Sequence, residues 1–498
     1  MKPLPHSLYR AEQVRELDRI AIDELGIPGL SLMQRAGAAA FEVLRRRWPR
    51  ARHIGVLCGI GNNGGDGFVL ASLARAAGLR VDVWLVGDAG RSRGDALTVR
   101  QKMEATGLHG EAFAGQDLSV YEVLVDGLLG SGLNGEVSGI WRDAIAAINE
   151  AHAAGCGVLA LDIPSGLQAD RGTVMGAAVR ADVCVTFIGL KLGLFTGQGP
   201  DCCGEVLFDD LDVPPQTYTR FSPAAIRLTP PAAGAYLPPR RPCAHKGDFG
   251  HVLVVGGDHG MSGAARLAGE AALRGGAGLV SLATRPEHAA AISAARPELM
   301  CHGVSDAMSL QAMLQPRLRR ATVLAIGPGL GQDGWGRQLL GAALASRLPL
   351  VVDADALNLL AVEPMCRTQW VLTPHPGEAA RLLGLATAEV QADRLAAARA
   401  LQQKYGGTLV LKGAGTLIVD SVGGVSLCDA GNPGMASGGM GDVLTGLIAA
   451  LMAQGLVCDD AARLGVCLHA AAADRAAMAG QRGLLASDLF LPLRELLA

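Results

Sequence analysis

Two α/β domains built on largely parallel sheets are predicted by three features of this sequence. The chain has 498 residues, well beyond the roughly 250 to 300 at which a single core stops growing. Half of the residues are hydrophobic but only 4% are aromatic, and there are 67 glycines, a composition suited to strands and Ala/Leu-rich helices joined by tight turns. On both sides of a proline-dense stretch, apolar runs of strand length end in glycine-rich loops and pass into helical segments, which is the βαβ pattern of a parallel sheet. That stretch, VPPQTYTRFSPAAIRLTPPAAGAYLPPRRP, disfavours long helices and central strands. It divides the chain into a first domain over residues 1–220 and a second over 221–498.

Charge and cysteine usage narrow the function class. The net charge is −3 and Arg and Lys are scattered along the chain among Asp and Glu, which argues against a nucleic-acid footprint; small-molecule substrates are expected. The eleven cysteines are odd in number and lack CxxC pairs, so neither a disulfide framework nor a zinc site is indicated, and a reducing compartment is expected. The N-terminus is charged, reads as helical after Ser7 and lacks the apolar core of a signal peptide, so the expected location is the cytoplasm. The longest apolar stretch, Val443 to Cys458, is interrupted by Thr445, Gly446 and Gln454 and falls short of the ~20 residues of a membrane span; it is expected to be a buried helix.

Open parallel sheets bind ligands beyond the carboxyl ends of their strands, so the loops after each strand carry the functional reading. In the first half, HIGVLC leads into GIGNNGGDG and the helical FVLASLARAAG. Gly59, Gly61 and Gly64 satisfy GxGxxG, although glycine also serves any tight strand-to-helix turn. Asn62, Asn63, Gly64, Gly65 and Asp66 place amides and a carboxylate at a helix N-terminus; the plainer alternative is a turn capped by Asn and Asp. YEVLVD ends at Asp126 and is followed by Gly130, Ser131, Gly132, Leu133, Asn134, Gly135 and Glu136, GVLALD ends at Asp162 before Pro164 and Ser165, and DVCVTFIGL ends at Lys191. Carboxylates closing two strands are hard to explain by packing, so Asp126 and Asp162 are read as functional. Lys191 is read likewise, with a solvated strand end as its alternative.

The strings NNGGDG, VDGLLGSGL and LDIPSG resemble the NAD(P)H-hydrate epimerase family, also seen in the apolipoprotein A-I binding protein, across essentially the whole first domain. The resemblance implies a Rossmann-like fold. It also implies that Asn62 to Asp66, Gly130 to Glu136 and Asp162 contact a hydrated nicotinamide cofactor, and that Asn63, Asp126 and Ser165 hold a potassium ion, a hard cation suited to oxygen ligands. The implied reaction inverts the hydroxyl-bearing C6 of the reduced ring by acid-base chemistry, with Asp162 as proton carrier; Lys191, from its place at a strand end, is read as a further catalytic residue. Inversion by loss of hydroxide and inversion by ring opening both stay open.

In the second half, HKGDFGHVLVVGG, LVSLAT, ATVLAIG, LPLVVD and WVLTP read as strands. His375, between Pro374 and Pro376, is the histidine at such a strand end; ligand contact and a structural role are about equally supported. TLVLKGAGTLIVD reads as two short strands around Lys412, Gly413, Ala414, Gly415 and Thr416, a loop open to phosphate or nucleotide. The strongest signal is Asn432, Pro433, Gly434, Met435, Ala436, Ser437, Gly438, Gly439, Met440, Gly441 and Asp442, which opens a long helix. Glycines there bare backbone N–H groups in the positive field of a helix N-terminus, a site for phosphate or a developing anion, with Asp442 in the same field. The competing reading of Asp442 is a simple helix cap.

The Gly-Met-Gly-Asp string resembles the anion hole and catalytic aspartate of ribokinase-like kinases. Together with HKGDFGHVLVVGG, LTPHPGE and VLKGAGT, it resembles ADP-dependent NAD(P)H-hydrate dehydratase over the whole second domain. The order of the two halves resembles the fused bacterial repair enzyme. By this resemblance Ala264, Gly329, His375 and Asp442 contact the hydrate, Lys412 to Thr416 and Asn432 to Gly441 hold the adenine nucleotide, ADP is the phosphoryl donor, and magnesium accompanies it. The expected substrates are hydrated NADH and NADPH, with no nucleic acid or membrane partner, and a homo-oligomer is expected. Two other readings remain: a ribokinase-like kinase of a small alcohol such as a vitamin, since a hydroxyl, an aspartate and a nucleotide define that reaction equally well, and a first domain that binds without catalysing.

Overall fold

The computed structural model describes residues 3–229, 236–314 and 321–498; residues 230–235 of the proline-rich linker lie outside the described residues. The chain forms two compact units, Met1–Ile226 and Arg227–Ala498.

In the first unit a parallel sheet is built from β1 (His53–Cys58), β2 (Arg80–Leu85), β3 (Gly110–Ala112), β4 (Val123–Gly127), β5 (Gly157–Leu161), β6 (Val183–Phe187) and β7 (Glu205–Asp209). Its spatial order is β3-β2-β1-β4-β5-β6-β7. The central strands β4, β5 and β6 are buried throughout, which is why they read as continuous apolar runs without alternation. The chain runs outward in one direction from β1 and in the other from β4, so the crevice between the loops after β1 and β4 is the topological switch point where such folds bind ligands.

Two details depart from the sequence reading. The run DVCVTFIGLK is one strand only to Phe187: Ile188 has φ +61°, a left-handed conformation that a β-branched residue adopts only under constraint. Leu190–Lys191 then forms a separate short strand parallel to Ser7–Tyr9, with Tyr9 opposite Lys191. Helix does not begin directly after Ser7; the short strand comes first, and α1 (Ala11–Arg19) follows it. The pairing therefore delivers α1 to the neighbourhood of Lys191. Helices α2 (Gly29–Arg47) and α3 (Asn62–Ala76) pack on the sheet.

The sheet of the second unit comprises β8 (His251–Val255), β9 (Leu279–Thr284), β10 (Met300–Gly303), β11 (Val323–Ile326), β12 (Leu350–Val352), β13 (Trp370–Leu372), β14 (Thr408–Leu411), β15 (Thr416–Val419) and β16 (Val425–Cys428). The order is β10-β9-β8-β11-β12-β13-β14-β15-β16, parallel as far as β14 and antiparallel across β14, β15 and β16. Its switch point falls between β8 and β11. The helices that matter for the site are α4 (Ser262–Arg274), α5 (Pro376–Leu383), α6 (Arg394–Tyr405), α7 (Met440–Ala453) and α8 (Cys458–Ala476). The apolar stretch expected as one helix to Cys458 is two: α7 ends before Gly455, which has φ +101°, and Cys458 opens α8.

Helix α7 is buried along nearly its whole length and crosses α4 at Gly446. A Cβ there would fall 1.9 Å from the Ala268 carbonyl oxygen, a backbone obstacle that no rotamer change relieves. Gly446→Ala is therefore expected to destabilise the protein at the upper end of the about 1–3 kcal/mol typical of overpacking and to displace the first turn of α7. The check is a denaturant titration. An unchanged midpoint would show that the two helices separate freely.

Candidate active sites in the two units

In the first unit a cavity of about 620 Å³ opens at the switch point, within the size range of small-molecule sites. Asn62, Asn63 and Asp66 reach it from the N-terminus of α3, Gly130, Ser131 and Gly132 from the loop after β4, Asp162 from the end of β5, and Lys191 from the short strand. The glycines of GxGxxG serve close approach: a Cβ on Gly59 would meet the Leu128 carbonyl oxygen at 1.9 Å, and one on Gly64 would meet the Gly59 carbonyl oxygen at 2.0 Å. They let the first turn of α3 close onto the β4 loop. Gly64 and Gly65 lie behind the wall, Gly65 against Met33, and Leu133, Asn134, Gly135 and Glu136 are not among the lining residues.

Lys191 is fully buried. Its Nζ is paired with Asp162 Oδ1 and donates to Thr186 Oγ1 and the Phe187 carbonyl, each at 3.0 Å, so the solvated-end alternative is excluded. Asp162 has φ +63°, which aspartate tolerates better than most residues, and this turns its carboxylate back toward Lys191. A buried ammonium needs such partners. Asp66 is buried, and desolvation, with Asp162 and Asp18 adding like charge, pushes its carboxyl well above the usual range. Asp18, on α1, lines the same cavity.

Below the cavity wall, Asp126 is fully buried. It accepts from Ser165 Oγ at 2.6 Å, Ser165 N at 2.8 Å and Leu128 N at 3.2 Å. Burial raises its carboxyl to about 6 even though these bonds pull it down. Asn63 donates to the Leu129 carbonyl at 3.1 Å, which leaves its own Oδ1 buried with no partner among the described residues. An orphaned buried acceptor costs about 1–3 kcal/mol, and here it sits among further oxygens: the Asp126 carboxylate, Ser165 Oγ and the Leu129 carbonyl. This donor set fits a hard monovalent cation; among the described residues no cluster of His, Cys, Asp or Glu is arranged for a transition metal.

In the second unit, Lys412 at the end of β14 donates to Asp353 Oδ1 at 2.7 Å and lies 3.9 Å from Glu378. Thr445 Oγ1 of α7 donates to Asp353 Oδ2 at 2.8 Å. Burial alone would raise the Asp353 carboxyl, but the Lys412 charge and these hydrogen bonds hold it below the ordinary value. The next residue, Ala354, has φ +49°, the same left-handed turn after a strand that Asp162 shows. Asp442, in the first turn of α7, makes no hydrogen bond or ion pair among the described residues. Desolvation first, and then the negative field of Asp353, raise its carboxyl to about 7, with Lys412 opposing. Gly439 has φ +90° and turns the chain into α7. The amides of Gly438, Gly439 and Gly441 have no backbone acceptor among the described residues, as expected of a helix N-terminus that awaits an anion.

The neighbouring expected residues fall around this centre in different ways. Gly329, at φ +58°, sits so that its Cβ would lie 3.3 Å from Ala264 Cβ, which places the two side by side at the switch point. His375 is the N-cap of α5: its Nδ1 accepts from Gly377 N at 3.0 Å and Glu378 N at 3.3 Å. Its ring is half exposed, so the cap leaves an edge free for a ligand. Burial, helped by Lys412 and Arg381, lowers its pKa. The Lys412–Thr416 loop is pinned from beneath by Arg394, which is buried and donates to the carbonyls of Leu411, Lys412 and Gly415 at 3.4, 3.2 and 3.4 Å. The Asn432–Ser437 segment is held by Asp474, which accepts from Gly431 N and Asn432 Nδ2 at 3.0 and 2.9 Å.

Four residues of these sites escape the sequence reading. Asp353 closes β12 as Asp126 and Asp162 close or follow their strands, so the same rule would have found it. Asp18, Arg394 and Asp474 lie on helices, where one charged residue looks like any other and no local pattern marks it.

Comparison with known proteins reaches both units. The NAD(P)H-hydrate dehydratase family model matches residues 252–493, and the YjeF-related protein N-terminus model matches residues 29–193. A bifunctional NAD(P)H-hydrate repair enzyme of Coxiella burnetii is 52% identical over 98% of this chain and 99% of its own. The chain belongs to the bifunctional NAD(P)H-hydrate repair enzyme family. The Escherichia coli member is 45% identical over 99% of this chain and 94% of its own. A ribokinase-like superfamily protein from Enterococcus faecalis shares 30% identity with this repair-family chain, covering 56% of it and 96% of the neighbour with a TM-score of 0.51. The fold is thus Rossmann-like in the first unit and ribokinase-like in the second. Among the described residues no helix is long and apolar enough to cross a membrane.

Proposed function

We propose that the protein repairs hydrated NADH and NADPH: the first unit epimerises the C6 hydroxyl, and the second removes it as water's equivalent at the expense of ADP. The observation that carries the reading is Asp442, a half-buried carboxyl without a partner among the described residues, raised to about 7 and set beside unpaired amides and Lys412. A base that titrates near neutrality is suited to taking a hydroxyl proton. Asp442 accepts the proton of the C6 hydroxyl as that oxygen attacks the terminal phosphorus of ADP, and AMP leaves. The Gly438 to Gly441 amides and Lys412 stabilise the charge that develops. The phosphate on C6 then departs with its electron pair while a proton leaves C5, and the ring double bond returns. Magnesium bound with the nucleotide phosphates neutralises their charge.

In the first unit, Asp162 handles the proton of the C6 oxygen, with Lys191 fixing its orientation. Asn63 Oδ1, Asp126, Ser165 and the Leu129 carbonyl are the groups that would hold potassium; such an ion would satisfy the orphaned Asn63 oxygen and order the two loops that wall the cavity.

The test is a mass balance on purified protein with mixed hydrated NADH and ADP. One NADH, one AMP and one phosphate are expected per hydrate consumed, with both epimers exhausted. A phosphorylated product that persists in place of free phosphate would establish a kinase instead.

A further inference from the structure

An inverting reaction at C6 must release oxygen from one face of the ring and receive it on the other, and a single carboxylate on one wall serves only one of these events. The cavity of the first unit offers a second carboxylate. Asp18 lines it from α1, carried there by the pairing of Ser7–Tyr9 with Leu190–Lys191, whereas Asp162 enters from the end of β5. The two are supplied by different elements, and both lie in the field of Lys191.

Asp162 is bound to Lys191 and Asp126 to Ser165, whereas Asp18 and the more deeply buried Asp66 make no hydrogen bond or ion pair among the described residues. Asp18 is half-buried, with Val14, Ile22, Leu32 and Met33 lining the same cavity. Burial raises its carboxyl to about 6, with Lys191 pulling it down and Asp162 pushing it up. The charged or titratable groups that share its surroundings are Lys191, Asp162, Asp66 and Tyr218, with Arg15 and Asp95 also on the cavity wall. An unpaired carboxyl on a cavity wall, near neutrality and within the field of the other proton carrier, has no structural bond to keep.

Resting on the epimerase reading above, we propose that Asp18 is a second catalytic residue of the first unit, exchanging a proton with the C6 oxygen in the step that Asp162 does not serve. In one direction Asp18 gives its proton to the C6 hydroxyl oxygen. The C–O bond breaks, its electron pair leaves with the oxygen as water, and the ring nitrogen lone pair forms the bond to C6. Water then adds to the other face, gives a proton to Asp162, and returns the electron pair to nitrogen. The net result is one proton moved from Asp18 to Asp162 and one inverted carbon. The opposite epimer reacts from the other protonation state and restores the first, so no oxidant or further reactant is needed. Both directions draw on the pair carrying a single proton, so kcat/KM is bell-shaped in pH and identical in shape for the two epimers.

The experiment compares the full chain with its Asp18→Asn and Asp18→Glu variants on each isolated hydrate epimer, following inversion chromatographically from pH 5 to 9 and oxygen exchange from labelled water. ADP-dependent dehydration by the same molecules serves as the folding control. Asp18→Asn is expected to lower the inversion kcat by about 10² to 10⁴, with KM and the dehydration rate held. Asp18→Glu is expected to keep measurable inversion with a displaced alkaline limb, and each inversion is expected to incorporate one solvent oxygen. Inversion by Asp18→Asn within a few-fold of wild type overturns the proposal. So does a slowed inversion whose pH limbs stay in place in Asp18→Glu, since that is the mark of a packing effect. Inversion without solvent oxygen overturns the step as written. A wild-type chain that dehydrates but never inverts overturns the epimerase reading itself and this proposal with it.

Discussion

Replacing Asp442 by Asn is expected to abolish ADP-dependent dehydration while leaving nucleotide affinity within a few-fold of wild type. The amide keeps the size and the position in the first turn of α7 but takes no proton from the substrate hydroxyl. Loss of a general base removes a factor of about 10² to 10⁴, and the nearest other carboxyl to Gly441 among the described residues, Asp353, is tied to Lys412 and Thr445. The wild-type rate should rise tenfold per pH unit on the acid side and level off above about 7, where Asp442 has lost its proton. The variant should lose this dependence.

Stability should move the other way. Because the folded value of Asp442 is raised above its ordinary 3.8, the native state holds this proton more tightly than the unfolded chain. That contribution is complete at low pH and is lost as pH rises from about 4 to about 7. Asp442→Asn is therefore expected to raise Tm relative to wild type by an amount that grows across this window and is constant above it. Near-normal turnover, or a Tm that falls at pH 8, would remove Asp442 from the role of base.

The second large effect is expected at Asp162. An Asp162→Ala enzyme given mixed hydrate should consume the epimer accepted by the second unit at the wild-type rate and then stall. The slow second phase should drop by about 10² or more, to the level of spontaneous inversion. Its ADP dependence in the first phase should not change, because Asp162 and Asp442 belong to different compact units. The substitution leaves buried Lys191 with only Thr186 and the Phe187 carbonyl as partners, so Asp162→Asn, which keeps an oxygen beside the ammonium, separates lost chemistry from lost packing. If both phases fall together in the Asn variant, the sites are not independent. If neither falls, Asp162 is not the proton carrier.

By itself the sequence determined the class of fold, the division near the proline-rich stretch and the ends of the strands that matter, because these depend on local and periodic properties: apolar runs, glycine clusters and proline density. It also marked Asp162, Lys191, Lys412 and Asp442, since each stands at the boundary of a regular element where a charged residue has no packing reason to be. What only the tertiary structure decided are relations between segments far apart in the chain. The left-handed turns at Asp162, Ile188 and Ala354, the pairing of Ser7–Tyr9 with Leu190–Lys191 that brings Asp18 to the cavity, and the bonds of Arg394 to the loop before Thr416 have no signature within a window of sequence. The glycines of GxGxxG show the same limit. Their spacing satisfies GxGxxG, but Gly59 and Gly64 are glycine because the Leu128 and Gly59 carbonyls lie where a Cβ would be, and only the folded chain brings those atoms there. Charge state follows the same physics: an aspartate titrates near 4 or near 7 according to what surrounds it, and for Asp442 the surroundings are Asp353, Lys412 and Glu378, residues from three other elements.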